Sequence, residues 1–196
     1  MSRTRCPWSL NVDEAYQRYH DEEWGVPVRD DMLHFEFLVL ESAQAGLSWA
    51  TVLRKRDGYR RAFANFDPQR VARFNSRSIE KLVNDASIIR NRQKIAAAIN
   101  NAKRFLDIQQ EFGSFDRYVW QFVEGSPIVN RWKSQASVPA TSAQSDALSK
   151  DLKRRGFGFV GSTIIYAHMQ ATGLINDHLV DCYRHAECVR LGETET

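Results

Sequence analysis

Between Asp30 and Gly173 the apolar side chains recur every three or four residues and almost nowhere alternate. That spacing commits the chain to helices packed on helices rather than to a sheet. Leu33, Phe37 and Leu40 fall at i, i+4 and i+7 after Asp30-Asp31, predicting one helix face that runs to about Ala45, where Gly46 breaks it. Ser48 caps a following helix through Trp49, Val52 and Leu53, and Asp67-Pro68 places a cap and a first-turn proline before Val71 and Phe74. Ile95, Ile99, Ala102 and Leu106 define a long amphipathic helix ending at Gly113; Ser114 starts a short aromatic one, Phe115 to Val123, that ends at Gly125. From Ser126 to Ser145 the periodicity fails, and an ordered loop or a hinge between lobes is expected. Helix resumes near Ser145, stops at Gly156 and restarts at Ser162 until Gly173, while the segment 189–196 reads as a frayed tail.

The 196 residues suffice for one sizeable core or two small lobes, and 43% hydrophobic with 26% charged residues is the balance of a folded soluble chain. No apolar run approaches the roughly 20 residues of a membrane span, and the N-terminal residues lack a leader's apolar stretch. A cytoplasmic monomer with no membrane partner is the expectation. Three cysteines, Cys6, Cys182 and Cys188, exclude a four-thiolate cluster or ribbon within one chain. The net charge of +3 identifies no partner class by itself, so the distribution of charge has to decide.

Between the last two predicted helices lies Gly156-Phe157-Gly158-Phe159-Val160-Gly161. A sharp reversal of this kind demands positive φ or close backbone approach, and its exit is a helix N-terminus whose free N–H groups suit a phosphate oxygen. Lys150, Lys153, Arg154 and Arg155 stand just before it, and a second basic cluster, Arg54, Lys55, Arg56, Arg60 and Arg61, follows Gly46. Twenty of the 27 basic residues are Arg, which forks onto phosphate well. A plain helix-helix turn beside a solvated charged face would carry the same residues; the combination favours a nucleic-acid backbone, held without sequence readout.

Cys6 and His20 near one end, His178 and Cys182 near the other, amount to a closed Cys2His2 set, with His178 and Cys182 spaced to share one face of a helix turn. Such a site would staple the two ends of the chain together. Separate buried thiols and a hydrogen-bonded histidine remain the alternative, with Cys188 a possible substitute ligand. His34, His168 and His185 have no spaced partner and read as ordinary residues. A third grouping sets Glu41, late in an apolar helix, among Trp8, Tyr16, Tyr19, Trp24 and Trp49. Each aromatic alone reads as core, but a buried carboxylate is costly unless something pairs with it.

Cys6-Pro7-Trp8, the run Tyr19 to Pro27, Glu41 to Trp49, Ser145 to Lys150, Arg155 to Thr163 and Gly173 to His178 together resemble, in order and spacing, the bacterial 3-methyladenine DNA glycosylase I family of the helix-hairpin-helix superfamily. The resemblance covers about residues 6 to 182 and fades beyond. It implies an all-α, two-lobed helix-hairpin-helix DNA glycosylase: one catalytic unit over 1–188, with a zinc and base-pocket lobe of about 1–48 plus 163–188 and a central lobe of about 49–162 carrying the hairpin 156–161. The implied reaction hydrolyses the N-glycosidic bond of 3-methyladenine in double-stranded alkylated DNA, releasing the base and leaving an abasic site. The resemblance further implies one structural zinc per chain on Cys6, His20, His178 and Cys182. Glu41 then has the catalytic role, Tyr19, Trp49, Trp8 and Tyr16 bind the base, and Gly158, Val160, Gly161, Ser162, Thr163, Lys153 and Arg155 contact DNA, with Leu47 as a wedge. The superfamily's hairpin lysine is missing, which argues against lyase chemistry. No catalytic role falls on Asp177 or Asp181, the nearest acids after the hairpin. A non-enzymatic helix-hairpin-helix module that binds DNA structure is the alternative.

Overall fold

The computed structural model describes residues 3–194. Among these residues the chain is mostly helical: α1 (Glu14–Glu22), α2 (Asp31–Gln44), α3 (Trp49–Leu53), α4 (Arg56–Ala62), α5 (Pro68–Val71), α6 (Ser76–Val83), α7 (Arg92–Phe112), α8 (Phe115–Trp120), α9 (Ala143–Arg154), α10 (Ser162–Ala171) and α11 (Tyr183–Thr194). No helix is long and apolar enough to cross a membrane. The caps explain the boundaries. Asp30, Ser48, Asp67 and Ser114 each accept a backbone N–H from the first turn that follows, and Gly113 closes α7 with φ +87°.

α2 is the central element. Every residue from His34 to Ala43 is buried, the polar His34, Glu36, Glu41 and Ser42 included, so its buried surface extends all round rather than along one stripe. Leu33, expected on the inner face with Phe37 and Leu40, is instead 41% exposed at the helix start. One apolar core runs without a break from Phe35 on α2 through α7 and α8 to Ile165 on α10 and Ile175. Smaller clusters flank it: Cys6, Leu179 and Cys182 with Trp8 and Trp132, and Tyr19, Phe37 and Ala171 with Trp24 and Trp49.

The segment after Gly125 departs from a plain loop. Ile128–Val129 (β1) pairs in parallel with Ile175–Asn176 (β2), a two-residue ladder that ties the segment to the chain beyond α10. α9 begins earlier than expected, because Ser142 and Ser145 form a reciprocal capping box that makes Ser145 the third residue of the helix. The expected frayed tail is corrected as well. α11 extends to Thr194, held by buried Cys188 and by Gly192, where an added Cβ would lie 2.8 Å from Pro127; 195 and 196 fall outside the described residues.

α9 and α10 pack against each other across the glycine reversal, which neighbouring helices pin. Asn101 on α7 accepts the Gly158 N–H at 2.8 Å and donates to the Gly158 carbonyl at 2.9 Å. Asn100 donates to the Gly156 carbonyl, Ser42 to the Phe159 carbonyl and Ser149 to the Val160 carbonyl. Only Gly156, at φ +88°, needs glycine for its backbone angle.

Candidate active site and metal centre

α1, capped by Asp13, delivers Tyr16, Tyr19 and His20 on successive turns. Tyr16 and Tyr19 face a cavity of about 360 Å³, also lined by Trp8, Trp24, Glu41, Gln44, Trp49, Gln135, Val138, Ala167 and Gln170. All five residues expected at a base pocket are therefore brought together. Trp8 meets the Tyr16 ring edge-on at 5.7 Å and the Trp24 ring at 5.0 Å, while Tyr19 and Trp49 lie 5.3 Å apart with planes inclined at 47°. The indole N–H of Trp49 is buried without an acceptor.

Glu41 is 3% exposed, and among the described residues no donor is hydrogen-bonded to its carboxyl. Burial alone pushes its pKa up to about 8. Its charge in turn helps raise the pKa of Tyr16 and Tyr19, after the larger effect of their own burial. A carboxylate in this state is a vacant acceptor: a cationic N–H donor entering the cavity would be hydrogen-bonded and would draw the group back to its ionised form.

Cys6, His20, His178 and Cys182 are all buried, and their ligand atoms lie within 4.8 Å of one another, a cluster that could hold a metal ion. Cys182 Sγ is 3.5 Å from His20 Nε2 and 3.6 Å from His178 Nδ1, and Cys6 Sγ is 3.6 Å from the same His178 nitrogen. The outward ring nitrogens are fixed: His20 Nδ1 by Asp21 at 2.8 Å, itself gripped by Arg5, and His178 Nε2 by the Trp24 carbonyl at 2.8 Å. Such partners set the tautomer that aims the other nitrogen inward. Gly25, at φ +82°, is required beside this site, since a Cβ there would lie 3.0 Å from the His178 ring. One expectation is corrected. His178 and Cys182 sit in a non-helical segment before α11, not on a helix turn. The segment is held instead by Val180 N–H donating to the Trp132 carbonyl and Cys182 N–H to that of Leu179. Cys188 is buried but lies outside the cluster; His34 and His168 are core residues whose ring nitrogens make no hydrogen bond, His34 Nε2 lying 3.5 Å from Asp116 Oδ1.

At the hairpin exit, α10 starts at Gly161 with no side-chain cap, leaving its first N–H groups for an outside acceptor. Lys153 and Thr163 are exposed there. Other expected contacts are engaged elsewhere: the Gly158 N–H goes to Asn101, the Val160 side chain is in the core, and Arg155 is paired with Glu111 at 2.6 Å and Asp151 at 2.7 Å. Part of the basic cluster after Gly46 is likewise paired within the protein, while Arg54, Arg60 and Arg61 are exposed. Arg56 and Arg60 converge on buried Glu36, Arg56 also grips Glu23, and Lys55 donates to the Ala86 carbonyl. By contrast Leu47, between Gly46 and the α3 cap, is 41% exposed on the loop joining α2 to α3.

Cavity residues that the sequence did not single out come from two sources. Gln135 and Val138 belong to the aperiodic segment, which gave no reason to place it over a pocket. Ala167 and Gln170, three apart on α10, share a helix face that reads as ordinary amphipathic packing.

A buried carboxylate without a donor, set among indoles and phenols in a helical protein, is chemically suited to a flat, electron-poor ring. The chain belongs to the methyladenine glycosylase family, whose model matches residues 8–185. It is 50% identical over 178 residues to DNA-3-methyladenine glycosylase 1 of Escherichia coli, covering 91% of this chain and 95% of that protein. It is 46% identical to the DNA-3-methyladenine glycosylase of Haemophilus influenzae, with coverage of 91% and 96%. Among solved structures, a crystal structure of 3-methyladenine DNA glycosylase I superposes with a TM-score of 0.89 at 48% identity, covering 92% and 98% of the two chains. A variant of such an enzyme in complex with 3-methyladenine superposes with a TM-score of 0.88 at 36% identity, with coverage of 91% and 96%.

Proposed function

We propose that this chain is a DNA glycosylase that removes 3-methyladenine from alkylated double-stranded DNA, acting as a single chain in the cytoplasm. The observation that carries the reading is Glu41, buried and without a protein donor, in a cavity of about 360 Å³ walled by aromatic rings. A module that only grips the DNA backbone has no use for such a group.

Methylation at N3 makes the adenine cationic, so breaking the bond from C1′ sends its electron pair onto a base that leaves neutral. No general acid is needed. The nucleotide is extruded into the cavity, Glu41 accepts a hydrogen bond from the base edge, and Tyr19 and Trp49 offer ring faces to the cation, with Trp8 and Tyr16 completing the wall. Water adds at C1′ as oxocarbenium character develops and gives up a proton, leaving an abasic site. No lysine stands on the hairpin itself, from Gly156 to Gly161, to form a Schiff base, so the strand is left uncut.

Uncapped amides at Gly161, Ser162 and Thr163, with Lys153, hold a phosphate. Exposed Leu47 fills the gap left by the extruded base. Zinc suits the Cys2His2 set. Metal–sulfur bonds of about 2.3 Å and metal–nitrogen bonds of about 2.0–2.1 Å in a tetrahedron separate sulfur from nitrogen by about 3.6 Å, close to the 3.5–3.6 Å found here. With all four positions filled by protein, the ion would be structural, tying Cys6 before α1 and His20 on α1 to the segment before α11.

Chromatography of the bases released from methylated DNA tests the reading. Free 3-methyladenine supports the enzyme. Retained, salt-sensitive DNA binding with no released base selects the binding module instead.

A further inference from the structure

Asp177 is 1% exposed and its carboxylate is saturated. Oδ1 accepts from Asn130 Nδ2 and Trp132 Nε1, each at 2.7 Å; Oδ2 accepts from the Tyr166 hydroxyl at 2.5 Å and Gln170 Nε2 at 2.7 Å. With each carboxylate oxygen accepting two hydrogen bonds, the Gln170 amide is held with its NH2 facing Asp177 and its carbonyl oxygen facing away. Gln170 lines the same cavity as Glu41, and among the described residues no side-chain or backbone donor is hydrogen-bonded to that oxygen. The cavity therefore carries a second acceptor, neutral and fixed in orientation, in addition to the titratable one.

We propose that Gln170 is a specificity-determining residue: its amide oxygen accepts an N–H from the exocyclic amino group of the bound purine and disfavours a purine bearing a carbonyl oxygen there. This rests on the glycosylase reading above. Asp177 is the positioning residue. It fixes the amide, and through Asn130 and Trp132 it also anchors the segment that brings Gln135 and Val138 to the cavity. A carbonyl on the purine would meet a like dipole in place of a donor, and the polar group left unpaired makes that exchange costly.

The test is single-turnover release of 3-methyladenine and of 3-methylguanine from methylated DNA by the unaltered enzyme and by Gln170→Met, which keeps length and loses the acceptor. Release of 3-methyladenine should fall about tenfold while that of 3-methylguanine holds, narrowing the ratio by the same factor. Asp177→Asn, which frees the amide to flip, should narrow the ratio in the same direction. Equal losses on both bases, or an unchanged ratio in Gln170→Met, would overturn the proposal, since a merely structural role lowers both together. If the unaltered enzyme releases neither base, it is the functional reading beneath the proposal that fails.

Discussion

In the proposed reaction Glu41 is the residue on which recognition depends, and its protonation gives it a signature outside catalysis. Its pKa of about 8 when folded compares with about 4.3 in an unfolded chain. Between those values the folded state keeps a proton that the unfolded state has released, so stability falls as pH rises through the window. Glu41→Gln lacks that loss. Thermal melts of the two proteins should coincide near pH 4, and the variant should melt higher at pH 9, by several degrees. The same group shapes activity. kcat/KM on methylated DNA should rise with pH to a plateau above about 8, the pH at which the free enzyme's carboxyl is ionised. A flat profile would remove Glu41 from recognition. Leu47 is the second residue whose proposed role can be tested separately. In Leu47→Ala the fluorescence of 2-aminopurine opposite the lesion should change, because the exposed side chain no longer fills the stack; an unchanged signal counts against the wedge.

At the scale of elements, the α9–α10 reversal is held by α7 as much as by its own glycines. Asn101→Ala would leave both the N–H and the carbonyl of Gly158 without their partner. Urea denaturation should then show a loss of about 2 kcal/mol with an unchanged m-value. Lys153→Ala, outside that network, should leave stability alone and lower the slope of log affinity against log salt by about one. The reversal was legible in the sequence because helix periodicity stops and restarts around glycine. The partners of its basic flank were not: Arg155 is paired with Glu111, which lies 44 residues away, and Arg56 with Glu36 from another helix. Spacing along the chain carries no sign of such pairings. α1 also escaped the periodicity reading, since its apolar face is made of only Tyr16 and Tyr19, which line the cavity, Tyr19 also packing with Phe37 and Ala171.

For the whole molecule, the decisive tie is between the chain's two ends. Cys6, His20, His178 and Cys182 were legible as a set only because cysteine is scarce and the residue types match a closed site; their convergence, and the Asp21 and Trp24 contacts that orient the imidazoles, needed three dimensions. If zinc fills the site, its binding energy is folding energy. Metal analysis should find one zinc per chain, and a strong chelator should lower Tm with loss of both excision and DNA binding. Protein that is folded, active and free of stoichiometric metal would contradict this.

The proposed chemistry depends on recognition of a cationic base by the partnerless, buried Glu41 carboxylate. The direct measurement is single-turnover release of 3-methyladenine from methylated DNA by Glu41→Gln, set beside its affinity for the same DNA. Excision should fall at least a hundredfold, about 3 kcal/mol for a lost charged acceptor, while DNA affinity stays within about twofold because the hairpin contacts are untouched. Excision at the unaltered rate would contradict the claim outright.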